Sequence, residues 1–368
     1  MALIRYYLLH PWRGLVAVVL GVLLGVGSFL TVSLWSAVDA IATEDFDPDS
    51  ARAGIDATTP SVTGWEFVEP LPIPGDEDLL TLADLSTDYD LDAFDPRSFS
   101  PYAFGTPIGD GVFNSYLMVG TDASGARADA IILALQPSAG GNPIMVSIPR
   151  DLYVWNTCRS TFTRINEGLV GCSGAASSLE LMAILVEDYT GVPIDHVVRI
   201  NFDGFVSVVN ALGGTRICVD NPTRDIKAHL DIGAGCQDAD GATTLAWVRS
   251  RHMEQLIGED WNAVGGSDFG RQRRQQDILF QLAGKASGFG SPTSLANALS
   301  AATSSVRVDS DWSFGSAVSA AWKYRGISQS SVARFAIGVR NYRTPKGAQV
   351  LMPTAYFADE LRSVYPLG

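Results

Sequence analysis

Basic residues are scarce in this sequence: 26 Lys and Arg stand against 40 Asp and Glu, a net charge of −14. A chain of that balance repels nucleic acid, so a role resting on phosphate-backbone attraction is excluded for the chain as a whole. Histidine is also rare, with four in 368 residues. No CxxC pair occurs, and only His196 and His229 lie near the cysteines, which argues against a zinc site. Three common catalytic signatures are missing as well: a Gly-rich phosphate loop ending in Lys-Ser/Thr, an HExxH helix and a Gly-x-Ser-x-Gly elbow. Nucleotide hydrolysis on a P-loop, zinc proteolysis and serine-hydrolase chemistry therefore have no foothold here.

One long stretch lacks charge altogether. Residues Gly14 to Val38 are built mainly from Leu, Val, Ala and Gly, and as a helix they would extend roughly 37 Å, enough to cross a bilayer. Arg5 and Arg13 precede the run, and Asp39, Glu44, Asp45, Asp47 and Asp49 follow it. Basic flanks stay inside, so the expected layout is a cytoplasmic tail (1–13), a membrane span (14–38) and everything later outside the cell membrane. The rival is a signal peptide cleaved near Ala40 and Ala42. The run exceeds the roughly 7–15 apolar residues of such peptides, which favours a single-pass anchor. All four cysteines (Cys158, Cys172, Cys218 and Cys236) fall on the outer side, where an even count favours two disulfides. Pairing of sequence neighbours is the simplest of the three connectivities.

Residues 39–110 are rich in Asp, Pro, Ser and Thr and read as a stalk, with short helices possible around Leu79–Leu91. From 111 to 368 the pattern is that of a three-layer α/β domain with a mixed sheet. Tyr116–Gly120, Ala130–Gln136, Pro143–Ile148, Val197–Phe202, Thr215–Asp220 and Val332–Gly338 have the composition of strands, and Thr244–Arg249 is grouped with them as a short apolar run. Helices are expected over Ser177–Tyr189, Gly204–Leu212, Arg271–Lys285, Leu295–Ser305 and Phe314–Tyr324.

Within this acidic chain, arginine gathers at the ends of those elements. Arg127-Ala128-Asp129 precedes one strand, Pro149-Arg150-Asp151 ends another, Arg249-Ser250-Arg251 closes a third run, and Arg271, Arg273 and Arg274 open a helix. A single such Arg is most simply a solvated surface charge. Four clusters at strand and helix ends point to a polyanionic ligand, because ligands of α/β sheets bind there and guanidinium forks match phosphate oxygens.

The same segments resemble the LytR-CpsA-Psr family of cell-wall glycopolymer ligases. The matching stretches run from Leu117-Met118-Val119-Gly120-Thr121-Asp122 and Ser147-Ile148-Pro149-Arg150-Asp151, through Asn201-Phe202-Asp203-Gly204-Phe205, to Ala246-Trp247-Val248-Arg249-Ser250-Arg251 and Gly270-Arg271-Gln272-Arg273-Arg274-Gln275-Gln276. Their order holds from about Tyr116 to Lys285, and Val350–Pro353 resembles the domain's closing segment. The resemblance implies that Asp122 and Asp129 hold Mg²⁺ (or Mn²⁺) against a pyrophosphate. It further implies that Arg150, Arg249, Arg251, Arg271 and Gln275 grip the phosphate oxygens, with Arg127 assisting, and that Asp129, Arg150 and Arg127 form the catalytic group. The implied reaction moves a glycan phosphate from a polyprenyl-pyrophosphate carrier to a peptidoglycan hydroxyl, with the lipid tail in an apolar pocket. Cysteines placed for disulfides and an Ala-rich composition fit an actinobacterial member. Departures from the family pattern fall at Ser124, where Arg is common, at Arg164, where Lys is usual, and in the acidic stretch from His252 to Asp268 around Trp261. Two other readings stay open: a lipid-phosphate-binding regulator without turnover, and a pyrophosphatase that uses water as acceptor.

Overall fold

In the computed structural model, residues 42–58, 107–122, 125–264, 268–288, 305–310, 329–344, 346–353 and 356–365 are described. The expected cytoplasmic tail and span (1–38), the Leu79–Leu91 region and the helices expected over Leu295–Ser305 and Phe314–Tyr324 lie outside them, apart from Ser305. Among the described residues no helix is long and apolar enough to cross a membrane.

The centre is a seven-stranded mixed sheet. Its members are β1 (Ala42–Glu44), β2 (Phe113–Thr121), β3 (Ala128–Pro137), β4 (Ile144–Ile148), β7 (His196–Ile200), β14 (Val306–Asp309) and β15 (Ala333–Ala336), in the order β1-β14-β7-β2-β3-β4-β15. Strands β2 and β7 run parallel, as do β4 and β15, while β3 is antiparallel to both β2 and β4. The carboxyl ends of β2, β4, β7 and β15 and the amino end of β3 therefore share one edge of the sheet. Loops leaving that edge carry most of the polar motifs singled out in the sequence.

One face of the sheet is dry. Leu117, Val119, Ile131, Leu133, Val146 and Ile148 alternate inward and meet Leu179, Met182, Leu185 and Val186 of helix α2 (Ser178–Thr190). Full burial of side chains of this size contributes roughly 1.5–3 kcal/mol each, so this layer dominates the fold's stability. Helix α2 starts at a capping box, in which the Ser177 hydroxyl accepts from the Glu180 amide and the Glu180 carboxylate accepts from the Ser177 amide. It stops at Gly191, whose φ of 66° suits glycine. The opposite face holds Met118, Ala130, Ala134, Met145, Val198 and Ile200, all half-buried. On that side lie α3 (Phe202–Ala211), α4 (Gly241–Arg249) and α5 (Asp268–Ser287), joined through Val209, Val248, Ile278 and Leu282. Gln276 of α5 donates to the Ser147 hydroxyl on β4 across 2.9 Å, which fixes the helix to the sheet.

Smaller strands complete the domain. Hairpin β5–β6 (Tyr153–Asn156, Thr161–Arg164) follows β4, and β8 (Thr215–Val219) pairs with β11 (Gly235–Ala239). A four-stranded sheet joins β9 (Thr223–Asp225), β10 (Leu230–Ile232), β12 (Glu254–Ile257) and β13 (Asp260–Ala263). The acidic stretch around Trp261 is thus the β12–β13 hairpin, and Arg224 of β9 lies 3.9 Å over the Trp261 ring. Strands β16 (Val339–Arg343) and β17 (Gln349–Pro353) and helix α6 (Phe357–Val364) close the chain, Phe357 and Leu361 entering the main core. The disulfides are Cys158–Cys172 and Cys218–Cys236, the sequence-neighbour pairing.

Two expectations are corrected. Thr244–Arg249 is part of helix α4 rather than a strand. Its four apolar residues fit either state, and the helix is set by Asp240, whose carboxylate accepts from the Thr243 amide as N-cap. Residues 42–58, assigned to the stalk on composition, are instead built into the domain. Strand β1 pairs with β14, and α1 (Pro48–Thr58) buries Ala51 and Ile55 in the main core.

Candidate functional site

The site starts from a break in the sheet's alternation. Thr121 pairs with Ala128 and Gly120 with Ala130, so Asp129 is an extra residue on β3. Ala128 and Ile131 both face the dry core, leaving Asp129 and Ala130 together where regular alternation allows one residue. A bulge of this kind re-aims a side chain out of the pleat. The Asp129 carboxylate meets the Arg150 guanidinium in an ion pair at the end of β4. Asp122 follows β2 at the same edge, where its amide donates to the Arg127 carbonyl at 3.1 Å and its carbonyl accepts from the Gly125 amide at 3.0 Å. These bonds close the loop that leads into β3. Arg127 itself is exposed, and Ser124 falls outside the described residues.

Arg150 is held from behind. Its carbonyl accepts from the Asn166 amide at 3.2 Å, and Asp151 lies 3.5 Å from its guanidinium. Asp151 also sits 3.4 Å from Arg164, which in turn donates to the Gln349 carbonyl of β17 at 2.9 Å. Arg164 thus links Asp151 to the closing hairpin, a forked contact that the usual Lys could not reproduce.

A second group of arginines comes from the α4–α5 side. The Arg249 guanidinium, at the carboxyl end of α4, lies 4.1 Å over the Phe202 ring. Phe202 opens α3 directly after β7, so this contact ties Arg249 to the same sheet edge. Arg251 follows two residues later and is half-buried. Arg271 is only 4% exposed and Arg274 8%, a costly placement for two like charges. Burial first, and then repulsion from Arg271, lowers Arg274 to about 10, with Asp225 pulling the other way. Arg274 donates to the carbonyls of Trp247 (3.1 Å) and Ser250, while Gln275 donates to that of Val248 at 3.3 Å. The amide of Gln275, expected on a phosphate, is here engaged with the end of α4.

The structure therefore brings Asp129 and Arg150 into contact and sets Asp122 and Arg127 on the adjoining loop. It gathers Arg249, Arg251, Arg271 and Gln275 around the end of α4. The Gln276–Ser147 bond joins the halves, since Ser147 is three residues before Arg150. Among the described residues no three His, Cys, Asp or Glu side chains cluster to hold a metal. Asp122 and Asp129 are two hard carboxylates at one edge, a set that fits Mg²⁺ or Mn²⁺ only when phosphate oxygens complete the shell. Sequence reasoning missed the roles of Asp225, Gln276 and the Asp129 bulge. Arg274 was visible within its cluster but without its carbonyl partners.

Known proteins share this fold. The LytR_cpsA_psr family model matches residues 109–362, more than half of the chain. The probable cell wall biosynthesis protein LcpB of Corynebacterium glutamicum is 34% identical over 181 residues, covering 49% of this chain and 39% of that protein. The polyisoprenyl-teichoic acid–peptidoglycan teichoic acid transferase TagU of Bacillus cereus is 27% identical over 198 residues, covering 53% of this chain and 60% of that one. The chain thus matches less than two thirds of either relative's length. Among solved structures, a LytR-Csp2A-Psr enzyme from Actinomyces oris superposes with a TM-score of 0.55 at 22% identity, over 70% of this chain and 92% of that one. Crystalline TagV of B. subtilis gives 0.55 at 22% identity, over 70% and 96%. With its α/β fold, its mixed central sheet and a family match over 109–362, this chain belongs to the LytR_cpsA_psr family.

Proposed function

We propose that this chain is a membrane-anchored, extracytoplasmic phosphotransferase that moves a glycopolymer phosphate from a polyprenyl-pyrophosphate carrier to a peptidoglycan sugar hydroxyl. The observation that carries the reading is the gathering of arginine around the end of α4 and the adjoining sheet edge, with Arg271 and Arg274 both buried and near enough for Arg271 to depress Arg274. Guanidinium groups brought together in this way suit a polyanion, and a pyrophosphate offers them oxygens in bidentate geometry. TagU's own description names a polyisoprenyl-linked donor and a peptidoglycan acceptor, and supports the same substrate classes here.

In this reading Arg249, Arg251 and Arg271 hold the pyrophosphate oxygens, and Arg150 and Arg127 hold the phosphoryl group that is transferred. Asp122 and Asp129 would hold Mg²⁺ or Mn²⁺, which neutralises charge on the phosphates when bound. The acceptor oxygen forms a bond to the glycan-proximal phosphorus, the bridging P–O bond breaks, and polyprenyl phosphate leaves with the bond's electrons. The hydroxyl proton passes to solvent or to a phosphate oxygen, because Asp129 is paired with Arg150 and Asp151 is tied between Arg150 and Arg164. The half-buried apolar face that carries Met118, Ala134 and Val198 suits the lipid tail.

The test is mass spectrometry of lipids that copurify with the detergent-extracted full chain and with its Arg150→Ala variant. Polyprenyl phosphate or pyrophosphate on the wild type alone is expected. Absence of such lipid from both proteins would remove the basis of the reading.

A further inference from the structure

Resting on that pyrophosphate site, we propose that Asp225 is a positioning residue that presents Arg249 and Arg251 to the ligand by fixing the turn between them. Asp225 ends β9 and is 1% exposed. One of its oxygens accepts from the Ser250 hydroxyl at 2.6 Å and from the amides of Arg251 at 2.9 Å and His252 at 2.8 Å. The other accepts from the amides of Lys227 at 3.0 Å and Ala228 at 3.2 Å. Five donors thus converge on one carboxylate, three of them from the turn that carries the arginines.

Those bonds decide where the two guanidiniums go. Ser250 is 0% exposed, its hydroxyl pulled inward to Asp225, so its neighbours on either side are directed away from that anchor. Arg274 also grips the turn, through the carbonyls of Trp247 and Ser250, near enough to Asp225 to feel its charge. The turn is therefore clamped between a buried anion that takes its N–H groups and a buried cation that takes its C=O groups. Burial pushes the Asp225 carboxyl upward, but the bonds from Ser250, His252, Arg251 and Ala228 outweigh it and hold it at about 2. The charge is thus in place at every physiological pH. Arg251 half-exposed on a fixed backbone loses less rotational freedom on gripping a phosphate than it would on a loose one, which is the physical gain from such a clamp.

The test measures binding of farnesyl pyrophosphate to the full chain in detergent, by calorimetry, with thermal unfolding recorded on each sample. The variants are Asp225→Asn, the milder Ser250→Ala, Arg251→Ala and the doubles that combine the first two with Arg251→Ala. Losing one charge-assisted phosphate contact weakens binding roughly tenfold or more, and the same scale is expected for Arg251→Ala and Asp225→Asn, with about threefold for Ser250→Ala. Because Asp225 acts through its arginines, its effect should shrink markedly once Arg251 is gone, leaving the double variant far short of the product of the singles. If Asp225→Asn and Ser250→Ala lower the melting temperature but bind as wild type does while Arg251→Ala is weakened, the clamp is merely structural and the inference fails alone. Full multiplicative effects in the doubles also overturn it. If wild type binds farnesyl pyrophosphate no better than Arg251→Ala, the pyrophosphate reading falls and takes this inference with it.

Discussion

Removing Arg52 should destabilise the protein far more at pH 8 than at pH 5. Arg52 lies on α1, in the segment that composition assigned to a stalk, and bridges Asp188 at 2.6 Å and Glu187 at 3.1 Å on α2. Burial pushes Asp188 up to about 6, against the pull of Arg52 and with added repulsion from Asp56, and burial likewise raises Glu187. Relative to 3.8, the Asp188 shift is about 2 units, or about 3 kcal/mol. The folded state binds this proton more tightly than the unfolded chain does. Its favourable contribution is therefore complete below about pH 4 and lost as pH rises through 6. Above that pH Asp188 must be charged, and Arg52 is the cation that compensates it. Breaking a buried pair costs roughly 3–5 kcal/mol, and with Arg52 a third exposed a cost of about 1–3 kcal/mol is expected for Arg52→Ala at pH 8. In a domain of this size that lowers the melting temperature by about 3–9 °C. At pH 5 Asp188 is largely protonated in the folded state, so the drop should be less than half as large. Asp188→Asn in the Arg52→Ala background should recover part of the loss at pH 8. Melting curves of the full chain at both pH values decide the matter: equal drops at pH 5 and 8, or none at pH 8, would refute the reasoning.

Three further outcomes follow from named contacts. Replacing Cys158 and Cys172 by Ser opens a loop of 14 residues' separation and should cost about 3 kcal/mol, read from denaturant unfolding; an unchanged midpoint would contradict the pairing's stabilising role. In Gly241→Ala the new Cβ would lie 2.4 Å from the Val206 carbonyl oxygen, forcing α3 and α4 apart at a cost of roughly 1–3 kcal/mol, so a wild-type melting curve would show the crossing is looser than described. If the proposed metal site at Asp122 and Asp129 operates, chelation should stop glycan transfer, and added Mg²⁺ should restore it without moving the melting temperature much, because two carboxylates alone would hold the ion weakly; transfer that persists in chelator would exclude the metal's role.

How much could be read in the sequence depends on whether the signal is local. Strands β2, β3, β4 and β7 and helix α2 were legible because apolar runs of the right length are bounded by Gly, Pro and Asp. The α4 segment was misread because Leu245-Ala246-Trp247-Val248 is too short for either period to show, and its cap at Asp240 lies outside the apolar run. Helix α1 hid in an acidic stretch because only Ala51 and Ile55, one turn apart, reach the core. Arginines at element ends stood out in so acidic a chain, and the structure gathers Arg249, Arg251 and Arg271 around the end of α4 and sets Arg150 at the end of β4. The bulge at Asp129 depends on the register between β2 and β3, and the turn clamp on Asp225 depends on two loops meeting. Neither leaves a trace in residue spacing.

The central claim, phosphoryl transfer at the edge that carries Asp129 and Arg150, is tested most directly by the product. The full chain in detergent, a polyprenyl-pyrophosphate-linked glycan, peptidoglycan fragments and Mg²⁺ should yield a glycan joined to peptidoglycan through a phosphodiester. Asp129→Asn should reduce that yield by roughly 100-fold or more, while the protein stays folded. Release of free glycan phosphate without the diester, or an Asp129→Asn variant as active as wild type, would contradict the account.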